Sequence, residues 1–293
     1  WYRFSALGQR SPVGRTRTTP AVDAAASLRF AIASCQRWDH GHYAAWRHMA
    51  TQELDLVMFL GDYIYEYPSR PDALRPHEGR LLRTLAQYRN RYAQYKSDES
   101  LQAAHAAFPW LVIWDDHEVE NDHARDRGQT LSGEAFLALR THAYQAWWEH
   151  QPVPKAMRPV GPDLRLYDRF QWGRLATIHA LDDRQYRDPQ VCLPPLRTGG
   201  SSVVKAADCP ELRDAQRSLL GPAQERWLAE GWDLQRPWNL LAQQTLMAQF
   251  SRQPVTGINA GEFWTDGWDG YAPSRERLLG TVAESKVPGV VVL

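Results

Sequence analysis

Three short apolar runs constrain this chain more than any other feature: Leu28-Arg-Phe-Ala-Ile-Ala33, Asp55-Leu-Val-Met-Phe-Leu60 and Trp110-Leu-Val-Ile-Trp114. The second is continuous behind a single acid, which suits a strand buried on both faces of a parallel sheet. Helical spacing lies between them, with Tyr43, Trp46, Met49 and Ala50 inside His42–Leu54, and Leu85, Tyr88, Tyr92 and Tyr95 inside one long helix, Thr84–Ala107. Farther on, Ser132–His150, Pro222–Asp233 and Ser274–Ser285 read as helices, and Trp1–Phe4, Asn239–Gln244 and Val290–Leu293 as strands. Leu164–Phe170 and Leu175–Leu181 flank Gln171-Trp-Gly-Arg174 as a hairpin. Repeated β-α-β with one antiparallel ribbon predicts an α/β fold with a mixed sheet and helices on its faces.

Each of the three runs stops abruptly at reactive groups. The first ends in Ser34-Cys35-Gln36, the second in Gly61-Asp62-Tyr63-Ile64-Tyr65-Glu66-Tyr67, and the third in Asp115-Asp116-His117-Glu118-Val119-Glu120-Asn121-Asp122. In a parallel sheet these ends share one edge, where open α/β folds place ligands. A thiol (Cys35), carboxylates (Asp62, Asp116), a phenol (Tyr65), an imidazole (His117) and a carboxamide (Asn121) are expected to converge there, and together they form a metal-ligand inventory. Asp62 has two oxygens and can bridge two cations. Phenolate and thiolate suit a strongly polarising ion such as Fe³⁺, whereas Asp116 and the amide oxygen of Asn121 are hard donors suited to Ca²⁺. His117 is placed to donate a hydrogen bond or proton to a phosphoryl oxygen. Each residue also has a plainer reading: Cys35 as a small buried side chain, the tyrosines as an aromatic cluster, Asp62 as a turn former, and residues 115–122 as a solvated acidic loop. Their joint placement favours the site, because burying acids there without a cation is costly.

Composition removes other classes. Lys+Arg and Asp+Glu are both 34, so the chain lacks the basic surplus of a dedicated nucleic-acid binder. No apolar run approaches the roughly 20 residues that cross a bilayer. No G-x-S-x-G and no G-x-G-x-x-G follows a strand, which disfavours a serine hydrolase and a dinucleotide enzyme. The 13 Trp and 12 Tyr imply heavy packing and large pockets. Cys192 and Cys209 flank a Pro/Gly/Ser-rich stretch without helical or strand period; they are expected to form a disulfide, hence an oxidising compartment, with two free thiols as the alternative. The chain opens on Trp-Tyr-Arg-Phe and stops inside the run Val290–Leu293. It reads as a piece cut at both ends, with residues 1–20 the tail of a missing N-terminal β-domain plus linker and residues 21–293 the main domain.

Gly61-Asp62-x-x-Tyr65 is similar to the GDxxY motif of calcineurin-like metallophosphoesterases that use ferric iron, including purple acid phosphatases. The wider pattern resembles the PhoD-type alkaline phosphatase/phosphodiesterases. It is carried by Ala33-Ser-Cys-Gln36, Leu60-Gly-Asp-Tyr-Ile-Tyr-Glu-Tyr67, Trp114-Asp-Asp-His-Glu-Val-Glu-Asn121, Leu181-Asp-Asp-Arg-Gln-Tyr-Arg187, Leu220-Gly-Pro-Ala-Gln-Glu-Arg-Trp-Leu228, Trp238–Gln244 and Trp268-Asp-Gly-Tyr271. These segments run in family order over nearly the whole chain.

The resemblance implies a four-layer α/β/β/α sandwich with mixed sheets, incomplete at the C-terminus, and a binuclear or larger Fe³⁺/Ca²⁺ site. Cys35 and Tyr65 would bind iron, Asp62 would bridge, and Asp116 and Asn121 would bind calcium. It implies hydrolysis of phosphate mono- or diesters by metal-activated hydroxide, small-molecule or lipid phosphate esters as substrates, and secretion to the periplasm or beyond on a signal peptide upstream of Trp1. His117 and Arg184 are the catalytic candidates, Arg184 either as a phosphate contact or as a buried partner of an acid such as Asp182. Two departures stand out. Asp183 occupies the place of Thr in the family's LDTRQYR, and the family's further Gly-Asp-x-His would lie beyond Leu293, so the piece itself could be inactive. A phospholipase D-like phosphodiesterase and a non-catalytic metal- or phosphate-binding fragment are the competing readings.

Overall fold

The three apolar runs become three parallel strands in the computed structural model, which describes all 293 residues. The chain divides into two units, one of Trp1–Glu118, Thr141–Arg165 and Gln171–Leu175, the other of Val119–Arg140, Leu166–Phe170 and Ala176–Leu293.

The first unit begins with a ribbon of β1 (Ser5–Ala6) and β2 (Gln9–Arg10). Leu7 and Gly8 between them have φ of 50° and 75°, the left-handed pair that a two-residue hairpin requires. That turn places the strands here rather than at Trp1–Phe4, where a strand was expected. The sheet follows in the order β3 (Phe30–Ala33), β4 (Leu56–Leu60), β5 (Trp110–Ile113). Every residue of the central β4 is buried, as its unbroken apolar run requires. Trp46 of α1 (Ala44–Met49) packs against Phe59 and Trp110, with ring centroids 6.0 and 5.0 Å away.

The helix expected over Thr84–Ala107 is two helices, α2 (Leu85–Lys96) and α3 (Glu99–Ala107). Thr84 and Gln87 close a capping box at the first, and the Asp98 carboxylate caps the second by accepting from Ser100 and Leu101 N–H. Asp98 is extended, so the helix cannot run through it. The C-terminal half of α4 (Gly133–His150) adds Tyr144 and Trp147 to this unit, 4.2 and 5.0 Å from the Trp114 ring.

The second unit carries a sheet in the order β11 (Val290–Val292), β9 (Trp238–Ala242), β7 (Ala176–Ala180), β6 (Asp168–Trp172), with β11–β9 and β9–β7 parallel. Leu181, Leu241, Trp268 and Tyr271 are fully buried in one apolar cluster with Leu228 of α5 (Pro222–Ala229) and Leu278 of α6 (Ala272–Glu284). The stretch between Cys192 and Cys209 holds a strand with no counterpart in the sequence reading, β8 (Val203–Lys205), antiparallel to β10 (Glu262–Trp264). At three residues neither strand is long enough to display a period. Cys192 and Cys209 are joined by the expected disulfide, with their Cα atoms 6.0 Å apart. The α/β class with mixed sheets is therefore observed, and no helix is long and apolar enough to cross a membrane.

Candidate metal centre

Register sets the rim. Ala33 lies opposite Phe59 and Leu60 opposite Ile113, so all three strands end level and their following residues emerge together. Backbone bonds lock the first two exits: Cys35 N–H donates to Gly61 O at 3.1 Å and Gln36 N–H to Asp62 O at 3.2 Å. Gly61 has φ +99°, and a Cβ there would sit 2.5 Å from Asp115 N and Cβ, so no other residue fits between the second and third exits. Cys35 and Asp62 both adopt left-handed φ, 57° and 59°, a conformation that non-glycine residues keep only where their surroundings hold them.

The ligand atoms of Asp62, Asp116 and His117 lie within 4.8 Å of one another, and all three residues are buried. The Tyr65 hydroxyl donates to Asp62 Oδ2 at 2.9 Å. Its ring lies 4.1 Å, centroid to centroid, from that of His117. Cys35 is close enough that Asp62 perturbs it: desolvation first, then the Asp62 carboxylate, pushes the thiol up to about 12. Burial and the same neighbours raise the Tyr65 phenol. Both groups are thus held protonated by desolvation first and by neighbouring negative charge second, and a bound cation would oppose both.

Two buried acids that the sequence reading did not assign to the site organise it. Glu118 accepts three backbone N–H groups, from Asp62 (3.1 Å), Tyr63 (2.6 Å) and Asp115 (2.9 Å), and so staples the second exit to the third. Burial raises its pKa, and the backbone donors partly offset the rise. Glu66 Oε2 sits 2.7 Å from His117 Nδ1. Burial alone would lower the His117 pKa, but Asp116, Glu66 and Asp62 outweigh it and raise the ring to about 11. The only sequence hint of either acid is position: each follows a candidate ligand by a few residues.

The donor set fits divalent or trivalent cations. Asp62, Glu66, Asp116 and Glu118 are all buried, a concentration of carboxylates that a cation would compensate. Sulfur, phenol and carboxylate donors stand close together at this rim.

The remaining two predicted residues lie in the second unit. Asn121 is half-buried, between Glu120 and Asp122, of which Asp122 Oδ2 accepts from the Ser201 hydroxyl at 2.6 Å. Arg184 is buried and donates to Asp266 at 3.0 Å. The acid the sequence offered as its partner, Asp182, instead accepts the backbone N–H groups of Arg184 and Gln185, at 3.0 and 2.9 Å. Asp266 also pairs with Arg187 and accepts from Gln190 Nε2 at 2.8 Å. Asp183, at the position where the resemblance implies Thr, is buried. Burial pushes it up to about 7, and its Oδ2 accepts from Gln244 N–H and the Thr245 hydroxyl, each at 3.3 Å.

Residues 30–293 match the family model described as PhoD-like phosphatase. Alkaline phosphatase D of Bacillus subtilis (strain 168) is 44% identical over 304 residues, taking in 100% of this chain and 50% of that protein. The solved structure described as "Structure of PhoD" superposes with a TM-score of 0.90 at 43% identity, over 99% of this chain and 55% of that one. The chain spans about half the length of the relatives it matches.

Proposed function

The chain belongs to the PhoD-like phosphatase family, and from that premise we propose that it hydrolyses phosphate mono- or diesters, small-molecule or lipid, at the rim built around Asp62. The observation that carries this reading is the cluster of Asp62, Asp116 and His117 ligand atoms within 4.8 Å, with the Tyr65 hydroxyl on Asp62. Cys35 and Tyr65 are the proposed iron donors and Asp62 the bridge. Asp116 supplies hard oxygens for calcium, and Asn121 keeps the carboxamide-donor role that its residue type suits. The chemistry such ions supply is neutralisation of charge on the phosphoryl oxygens and activation of water.

The chain's own residues do the rest. Glu66 holds His117 by Nδ1, which leaves Nε2 to donate to the leaving oxygen. Glu118 keeps Asp62 and Asp115 in fixed relation, so the donors need not reorganise during reaction. Arg184 acts at one remove: its guanidinium is engaged with Asp266, and its proposed role is to fix that acid. The phosphatase domain is taken as 21–293, with 1–20 the tail of an N-terminal β-domain plus linker; a family match that starts at residue 30 supports that boundary. The Cys192–Cys209 disulfide supports a secreted or periplasmic protein.

The test is elemental analysis for iron and calcium together with hydrolysis of nitrophenyl phosphate and bis-nitrophenyl phosphate. Iron with turnover supports the proposal. Metal without turnover would make this chain a binder of metal and phosphate, and neither metal nor turnover would end the reading.

A further inference from the structure

The first unit contains a cavity of about 570 Å³ between the start of the chain and α3, lined by Tyr2, Phe4, Lys96, Leu101 and His105 among others. Lys96, the last residue of α2, is half-buried, whereas the chain's other three lysines, Lys155, Lys205 and Lys286, are exposed. Its ammonium lies 5.0 Å from the centroid of the Tyr63 ring, and no carboxylate pairs with it. Desolvation alone brings the amine down to about 8. Its nearest polar neighbours are already engaged or apolar in effect. The Tyr63 hydroxyl is 2.8 Å from His105 Nε2, and His105 stacks on Trp110 at 3.8 Å and is held neutral by burial. Glu99 also lines the cavity but is exposed and does not perturb the amine.

A half-buried ammonium without an anion gives up part of its hydration, and an aromatic face recovers only part of that cost. We propose that this cavity binds a small organic anion, its single oxyanion head on the Lys96 ammonium and its flat apolar body against Tyr2, Phe4 and Leu101. One unpaired cation matches one negative charge. The cavity is several times larger than an inorganic ion and mostly apolar in its walls, so the ligand class is an aryl carboxylate or a similar amphipathic monoanion. None of the proposed metal ligands takes part, although Tyr63 leaves the same strand end as Asp62, and the proposal stands whether or not that rim turns over phosphate esters.

The experiment is calorimetric titration of the full chain with 2-naphthoate, with 2-naphthamide as the neutral control and inorganic phosphate as competitor. One 2-naphthoate per chain is expected. Lys96→Met, which keeps length and removes charge, should weaken it by at least about tenfold. The amide should bind the wild-type chain no better than 2-naphthoate binds Lys96→Met, and phosphate should not displace 2-naphthoate. Thermal melts establish that the variants fold. Should Lys96→Met fail to fold, Ala106→Trp, which fills the cavity from the half-buried surface of α3, reads the same site and should abolish binding. Undiminished affinity in either folded variant, an amide as tight as the acid, displacement by phosphate, or no saturable binding at millimolar 2-naphthoate would each overturn the proposal.

Discussion

Glu118 is the residue on which the rim's geometry depends most directly. Its two oxygens accept N–H groups from Asp62, Tyr63 and Asp115, and it is fully buried. Glu118→Ala leaves three donors, two of them fully buried, without an acceptor and should lower stability by about 2–4 kcal/mol, with metal content falling as the strand exits separate. Urea unfolding and elemental analysis measure both, and a loss below about 0.5 kcal/mol would remove Glu118 as a staple. His117→Ala, in contrast, should leave metal content intact and reduce turnover by about 10²–10⁴-fold; unchanged turnover would take His117 out of the mechanism. Asp62, Tyr65, Asp116 and His117 were legible in the sequence because a parallel strand's end is a local signal. Glu118 and Glu66 were not, because a carboxylate two of whose three backbone partners lie some 55 residues away, or one whose partner ring lies 51 residues away, leaves little trace in the residues around it. Arg184 misled for the same reason, since its carboxylate partner lies 82 residues on.

At the scale of elements, the apolar strands of the two larger sheets were found, the short β1, β2, β8 and β10 were not, and the one long helix over Thr84–Ala107 proved to be two. Apolar runs that fill a sheet's interior are unambiguous, whereas Asp98 breaks a continuous helical pattern by hydrogen-bonding chemistry that outweighs periodicity. The pairing of β7 with β9 carries a pH consequence. His179 in β7 lies 2.9 Å from Asn239 Oδ1 and accepts from Arg169 Nε at 3.3 Å, so the proton sits on Nε2 and the ring is neutral. Burial holds its pKa down at about 4 despite the Asn239 bond. His77, desolvated and beside Arg91, is likewise lowered to about 4. Unfolded histidine takes up its proton near pH 6.5. Between about 6.5 and 4 the unfolded chain therefore binds more protons than the folded one. The stability these rings contribute is complete above about pH 6.5 and is lost as pH falls through 4, with a slope of up to ~1.4 kcal/mol per pH unit for each. His179→Gln should flatten the acid limb of urea midpoints measured at pH 7, 5.5 and 4.5. A variant whose limb parallels the wild type would show that His179 does not titrate with folding.

For the molecule as a whole, formal charge is balanced at 34 against 34, so the acids of the rim are a local concentration rather than part of a general surplus. Their mutual repulsion is confined to one buried cluster and must lower the stability of the metal-free chain. Cation binding and global stability are consequently linked with a definite sign. An ion at about 100 times its dissociation constant should add ~2.7 kcal/mol, worth on the order of 4–5 °C in Tm for a chain of this size. Chelation should remove that increment, and resupplied metal should restore it. Asp62→Asn separates the cation's contribution from the fold's. It deletes the proposed bridging ligand and one of the repelling charges together, so the variant should melt above the chelated wild type and no longer respond to metal or chelator. Calorimetric melts of both proteins, with and without chelator, decide the matter. An Asp62→Asn chain that still gains stability from metal would place the cation elsewhere. One that melts below the chelated wild type would mean that Asp62 is held by its Tyr65 hydrogen bond and its left-handed turn, and not strained by neighbouring carboxylates.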